Sequence, residues 1–272
     1  MRHKMDCCVV MVIGIIGLGS QVWGAEWEFL PERGRAFLPL LADPREAVVR
    51  LGYMREGDTF AELGLGGDLG LLSVASQQGT LTLSGRALVN SRFEFGSGAF
   101  DLINTDYIGA AALGYEQDRW QWELCFYHQS SHLGDEMMIP PARRSAIRYN
   151  HESLRFLLAH EFWDCLRLYT GPSIRIHSVP ESFDSHWSIQ LGSEWSRHIG
   201  HIPIYLATDI QWRELDQWQR DWTTQIGFFL GYRDKNVHRK RVFLEYHDGL
   251  STMGQYYNDN ESYTMIGFSM DL

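Results

Sequence analysis

The sequence predicts a transmembrane antiparallel β-barrel of about twelve strands. Apolar and polar residues alternate with a period of two in one segment after another from Arg45 onward, and short and long turns separate these segments. Aromatic residues make up 13% of the chain and cluster near the segment ends. A strand with one face toward lipid and one toward a lumen has this period, and Trp and Tyr collect at the membrane–water boundary. A soluble β-sandwich also alternates, but its polar face carries many Lys and Glu. Here the polar face carries charges of both signs, which favours the membrane barrel.

The first 24 residues have the pattern of a signal peptide. A charged start, MRHKMD, precedes an apolar run and then small residues at Val22 and Gly24. This order predicts cleavage before Ala25, with an uncleaved anchor as the alternative. Residues 25–44 have mixed charge and no clean period, so we expect a periplasmic leader there and a barrel over residues 45–272.

Charge and export limit the classes of partner. The net charge of -10 argues against a nucleic-acid partner. We expect the outer membrane of a Gram-negative-type bacterium, with membrane lipids and the barrel-assembly machinery as partners. Cys125 and Cys165 are the cysteines that follow the signal peptide, and they can form one disulfide or stay as two free thiols.

The stretch from Arg119 to Glu136 departs from a plain strand. Trp120, Trp122, Leu124 and Phe126 share the apolar parity, and His128, Ser130 and His132 continue it before a long loop begins. In an upward strand whose far end carries the long loops, these polar residues lie on the outward face at the outer rim.

This pattern predicts a hydrolytic site. A serine hydroxyl becomes a useful nucleophile when an imidazole takes its proton, and His128 and Ser130 share one face. A third group that orients the base is expected on the next strand, where Glu152, or alternatively Asn150, has the outward parity. Asp135 and Glu136, with His132, are candidate loop or metal ligands, and carboxylates of this kind can hold Ca²⁺.

A non-enzymatic barrel is the alternative. His-x-Ser is a short pattern, and polar residues are expected wherever a strand reaches water. The protein would then be a narrow porin or a structural or adhesive envelope protein. Inward charges of both signs are expected to pair and to leave the lumen narrow or closed. These charges are Arg86, Arg92, Glu94, Glu123, Arg155, Arg167, Arg175 and Glu194.

Three blocks resemble a known family. FLPLLADPREA (Phe37 to Ala47), DYIGAAALGYE (Asp106 to Glu116) and YHQSSHLGDE (Tyr127 to Glu136) are similar to domain-of-unknown-function family 1207. The resemblance implies an envelope barrel and supplies no reaction. His128 and Ser130 also resemble the outward His-x-Ser of outer-membrane phospholipase A and lipid A 3-O-deacylase, which implies hydrolysis of an acyl ester in a phospholipid or in lipid A.

Overall fold

Twelve antiparallel strands close into a barrel in the computed structural model, which describes residues 25–95, 100–180, 186–215, 217–231 and 239–272. The predicted signal peptide lies outside the described residues and stays a prediction. The chain begins with a short strand and continues through the barrel strands. These are β1 (Glu26–Phe29), β2 (Val49–Glu56), β3 (Asp58–Ser76), β4 (Gly79–Phe95), β5 (Phe100–Gln117), β6 (Trp120–Leu133), β7 (Tyr149–Phe162), β8 (Leu166–Val179), β9 (Trp187–Ile199), β10 (Ile202–Leu215), β11 (Gln217–Phe229), β12 (Lys240–Leu250) and β13 (Asn260–Met270).

Each barrel strand pairs with the next one in the chain, and β13 pairs with β2 to close the seam. The predicted fold class is therefore confirmed, with Trp120 at the start of the fifth barrel strand. The first barrel strand begins at Val49, a few residues after Arg45. β1 pairs with the end of β3 that the shorter β2 leaves uncovered.

The two ends of the barrel differ in their connections. The short-turn end carries residues 77–78, 118–119, 163–165 and 200–201, and Asp118 adopts a positive φ of 53° that a tight hairpin requires. The long-loop end carries residues 134–148, which include the short helix α1 (Asp135–Met138), and residues 251–259, which include a single 3₁₀ turn. Among the described helices, none has the length and hydrophobicity to span a membrane.

Alternate residues of each strand face the lumen and the outside of the barrel, as the period of two in the sequence predicts. On β6, Glu123, Cys125, Gln129 and Ser131 are buried toward the lumen, while Trp120, Leu124 and Phe126 are exposed on the outside. Large apolar side chains are exposed around the outside, as a lipid-facing surface requires. Examples are Leu51, Leu65, Val89, Leu168, Ile189, Leu206, Ile226 and Ile266.

Residues 35–48, here called the plug segment, lie inside the barrel, and most of them are buried. Phe37 and Leu40 pack against Leu157 and Tyr169 of the wall. The backbone N–H of Leu41 donates to Glu194 at 2.7 Å. The sequence assigned residues up to 44 to a periplasmic leader, whereas the structure places this segment inside the barrel.

Charges of the wall and of the plug segment pair with one another. Burial would raise the pKa of Glu46, but the charges of Arg35, Arg86 and Arg155 hold it below its ordinary value. The expected pairing of inward charges is therefore present, because buried charges are costly without partners. Pairs include Arg86 with Asp68 and Glu123, Arg92 with Glu62 and Glu261, Arg50 with Glu245, Arg155 with Asp43, and Arg167 with Glu194.

Candidate active site

Strand β6 presents His128, Ser130 and His132 on the outer surface near the long-loop end. The local sequence alternates through Phe126, so the pleat carries the outward parity into these polar residues. His128 lies opposite Glu152 of β7, and Ser130 lies opposite Asn150. The four side chains that the sequence singled out for catalysis therefore form two cross-strand pairs on one face.

His128 and Glu152 are in direct contact. The Nδ1 atom of His128 lies 2.7 Å from Oε1 of Glu152. The side chain of His128 is 46% exposed and that of Glu152 is 27% exposed. An Nδ1–H that donates to the carboxylate leaves Nε2 of His128 as the acceptor, which is the tautomer of a general base.

Glu152 has a second histidine partner that the sequence did not reveal. Nδ1 of His177 on β8 lies 2.6 Å from Oε2 of Glu152. Alternation along β8 places Arg175 toward the lumen, so the same parity predicts an inward His177. The pairing of β7 with β8 shifts register between Glu152 and Ser153, and this irregularity turns His177 outward. No local sequence signal marks it.

Ser130 stands on the same face as His128, two residues farther along the strand. This spacing is roughly 7 Å along the backbone. Its hydroxyl makes no hydrogen bond to His128 in the part of the chain that the structure describes. Hydrogen bonds of catalytic groups are often long before substrate binds, and they shorten in the complex with substrate.

The remaining candidates lie apart from this pair. His132 packs edge-on against Tyr107, with ring centroids 5.7 Å apart. Asp135 and Glu136 are exposed in the first turn of α1. Among the described residues, no group of three or more His, Cys, Asp or Glu side chains could hold a metal ion. The predicted Ca²⁺ site therefore gains no support at this loop.

Open space adjoins His128 on its other side. Gly109 of β5 is the cross-strand neighbour of His128. A Cβ atom built on Gly109 would have no atom within 4 Å. The imidazole thus has a carboxylate on one side and a shallow gap on the other.

Cys125 and Cys165 are both free in this structure. Cys125 faces the lumen of β6, and Cys165 lies in the turn before β8. The structure thus shows two thiols rather than a bridge, the second of the two possibilities left open by the sequence.

Solved structures with a similar fold are outer-membrane proteins. Outer-membrane phospholipase A from Escherichia coli, as an N-to-A active-site mutant, has a TM-score of 0.58 at 11% identity and covers 88% of this chain and 95% of its own. The Salmonella typhi phospholipase, solved as a dimer with bound calcium, has a TM-score of 0.57 at 14% identity, with coverage of 83% and 91%. The KdgM porin has a TM-score of 0.48 at 7% identity, with coverage of 83% and 99%. At these identities the likeness to the two phospholipases shows the fold alone.

Sequence comparison gives the family. Among proteins with curated descriptions, no sequence matches this chain. A family model described as a protein of unknown function, DUF1207, matches residues 18–272, nearly the whole chain. The chain belongs to the DUF1207 family.

Proposed function

We propose that the protein is an outer-membrane hydrolase that cleaves acyl esters of phospholipids or lipid A. The observation that carries the proposal is the exposed His128–Glu152 pair, with Ser130 on the same outward face. An exposed ion pair contributes about 0–1 kcal/mol to stability. The pair therefore adds little to the stability of the barrel, and a catalytic role accounts for it better than a structural one.

The chemistry follows from the placement of each group. Nε2 of His128 takes the proton of Ser130 as Oγ attacks the ester carbonyl, and the proton then passes to the leaving alcohol. Water attacks the acyl-enzyme next, with His128 again as the base, and releases the fatty acid. Glu152 holds the imidazole and stabilises its charged form.

Asn150 has a separate role in this proposal. The sequence offered it as an alternative to Glu152, but it lies opposite Ser130 rather than His128. From that position its side-chain amide can donate to the oxyanion that forms during attack. Glu152 is therefore the third member of the proposed triad.

The substrate class follows from the face of the barrel on which the site lies. Ser130 faces outward on a surface that otherwise presents Phe126 and Leu124 to lipid. An acyl chain already in the membrane reaches this face. The gap over Gly109 provides room beside His128 for the reacting ester.

The porin alternative meets an obstacle in the lumen. The plug segment and the paired charges occupy space that a diffusion channel needs. Planar-bilayer recordings address this alternative directly. We expect no large stable conductance, and a large one would favour the porin.

The decisive assay measures release of fatty acid from phospholipid and from lipid A in mixed micelles, with Ca²⁺ and with a chelator. We expect Ser130→Ala and His128→Ala each to remove nearly all activity, because such groups act as a unit. Heat-modifiable migration on a gel confirms that each variant is a folded barrel.

A control serine must be outward and unconnected to the site. Ser131 fails this test because its buried hydroxyl donates to Asn104 at 3.0 Å. Ser262 of β13 is exposed, its hydroxyl shares a hydrogen bond with the hydroxyl of Tyr246, and its backbone N–H donates to Glu56. Ser262→Ala should keep full activity. If the wild type hydrolyses lipid and Ser130→Ala does so equally well, the site assignment is wrong.

A further inference from the structure

The outward face of β6 changes in chemistry along the strand, from the lipid-facing wall toward water. Leu124 and Phe126 present apolar side chains to lipid. The next outward positions belong to His128, Ser130 and His132. Each of these positions is separated from the next by about 7 Å along the strand. The candidate site therefore lies between an apolar surface and the outer rim of the barrel.

The cross-strand neighbours of Ser130 mark its level in the membrane. Ser130 lies opposite Tyr107 of β5 and opposite Asn150 of β7. Tyr107 is exposed on the outside of the barrel. Tyrosine side chains collect at the boundary between hydrocarbon and water, where the ester groups of a membrane lipid also lie. An ester at the level of Ser130 therefore has its acyl chain beside Phe126 and its headgroup on the opposite side.

Arg148 lies on the headgroup side of this level. Ser131 of β6 pairs with Tyr149 of β7, and the next residues toward the long-loop end are His132 and Arg148. Arg148 is exposed, whereas Tyr149 is buried toward the lumen. In a phospholipid, and also in lipid A, phosphate lies on the water side of the acyl chains. We propose that Arg148 binds the phosphate of the lipid whose ester meets Ser130, an inference that rests on the proposed function.

Arg148 differs from the other two arginines of its loop. Arg143 forms an ion pair with Glu94, and Arg144 forms one with Asp259. Arg148 has no carboxylate partner in the part of the chain that the structure describes. Because water solvates an exposed guanidinium, this arrangement carries no large cost for folding. The planar guanidinium stays open to a ligand, and its N–H groups match two oxygens of a phosphate.

His132 supplies a second donor at the same level. Its ring packs edge-on against Tyr107, with ring centroids 5.7 Å apart. This contact holds the imidazole on the outward face, next to the neighbour of Ser130. A neutral imidazole donates one N–H to an acceptor, and a protonated one also brings a positive charge. The imidazole of His132 therefore supports the binding of an anionic headgroup beside Arg148.

A bound phosphate would position the ester of the same molecule against Ser130. Phosphate and ester are only a few bonds apart in a phospholipid, so binding of the first restricts the position of the second. A neutral glyceride keeps the contacts of its acyl chains with the wall and lacks this one. Arg148 is thus a specificity-determining residue that selects lipids with a phosphate, and it takes no part in proton transfer.

Lipid binding to the Ser130→Ala barrel tests the inference without any hydrolysis. Dioctanoyl phosphatidic acid and dioctanoylglycerol are titrated into the full-length protein in a non-ionic detergent, and lipid A is compared with dephosphorylated lipid A. We expect the phosphate-bearing member of at least one pair to bind about tenfold or more tightly, because hydrogen bonds to charged groups are strong. The pair that shows this preference identifies the source of the phosphate. Equal affinities within both pairs would overturn the inference.

Two variants and one control locate the contact. In the Ser130→Ala background, Arg148→Gln should abolish the preference for phosphate, and Arg148→Lys should keep part of it through its charge. Arg55→Gln should leave the preference unchanged. Arg55 is also an exposed, outward arginine near the long-loop end, but it belongs to β2, four strands away from β6. Equal losses in Arg148→Gln and Arg55→Gln, or no loss in Arg148→Gln, would refute a specific site at Arg148.

Kinetics separate this inference from the proposed function. If the wild type hydrolyses lipid, Arg148→Gln should raise KM for phosphatidic acid by about tenfold and leave kcat nearly unchanged, because binding of substrate and transition state weakens equally. Turnover of dioctanoylglycerol should stay the same. If the wild type hydrolyses no lipid but Arg148→Gln still abolishes the preference for phosphate in binding, the proposed hydrolysis is wrong and the phosphate contact stands. Hydrolysis that Arg148→Gln leaves unchanged would refute the contact and keep the hydrolase.

Discussion

Two carboxylates of the barrel each lie between two basic side chains, one in the lumen and one on the outer surface. Glu62 is fully buried, and its partners are Arg50 and Arg92. Glu152 is 27% exposed, and its partners are His128 and His177. The chemical pattern is nearly the same, but the surroundings are opposite.

The difference shows how burial separates structural from functional charge. Glu62 is fully buried, and its loss would leave Arg50 with Glu245 alone and Arg92 with Glu261 alone in the lumen. At Glu152, solvent screens the charges, and an exposed pair adds little to folding. Stability should therefore depend on the inner carboxylate and activity on the outer one. Four substitutions sharpen or break this contrast.

Glu62→Ala should give the largest loss of stability. Breaking a buried ion-pair network by removing one partner costs about 3–5 kcal/mol. Denaturant unfolding of the refolded barrel in detergent measures this cost. If Glu62→Ala lowered the free energy of unfolding by less than Glu152→Ala does, the ion pairs of the lumen would not have the structural role assigned to them.

Glu152→Ala should have the reverse effect. The free energy of unfolding of this variant should differ from that of the wild type by no more than about 0.5 kcal/mol, as expected for a surface substitution. Lipid hydrolysis should fall by at least about 10²-fold, because His128 loses the group that orients it. Full activity in Glu152→Ala would remove this carboxylate from the triad.

Gly109→Leu should reduce hydrolysis by about tenfold without lowering stability. No atom lies within 4 Å of a Cβ at this position, and glycine weakens a strand interior. The added side chain would fill the gap beside His128 and raise KM for lipid. Gly85→Leu is the matched control, because Gly85 also has open space but lies one strand farther from β6. Equal effects of the two variants would argue against a substrate gap at Gly109.

His177→Ala should have the smallest effect, a fall of a few-fold in kcat with KM unchanged. Glu152 would keep its contact with His128 and lose only the donor on Oε2. We expect His177→Gln to restore most of the rate, because its amide can donate in place of the imidazole. A change in KM alone would instead indicate that His177 contacts substrate.

The period of two was sufficient to predict the outward face of His128, Ser130, Asn150 and Glu152. Side chains alternate strictly along a regular strand, so parity carries over from apolar residues to polar ones. The same rule failed at His177, because one register shift between β7 and β8 reverses the parity. A bulge of this kind depends on pairing between strands and leaves no trace in the local pattern.

The plug segment escaped sequence analysis for a related reason. Its apolar residues Phe37, Leu40 and Leu41 follow no strand or helix period, since they pack against the curved inner wall rather than along one face. Its charges likewise have partners far along the chain, such as Arg155 for Asp43. Only the closed barrel brings these groups together.

The contacts of Arg239 link the beginning of the barrel domain to its last strand. This side chain donates to Asp271, just after the last strand, and to the carbonyl oxygen of Pro39 in the plug segment at 2.9 Å. The first and last barrel strands also meet at the seam. Arg239 therefore connects the plug segment to the residue that follows β13. A barrel that closed while empty would keep the pairs of Asp271 with Arg239 and Arg241 and would lose the hydrogen bond from Arg239 to Pro39, so the plug segment adds a contact beside the seam rather than a separate domain.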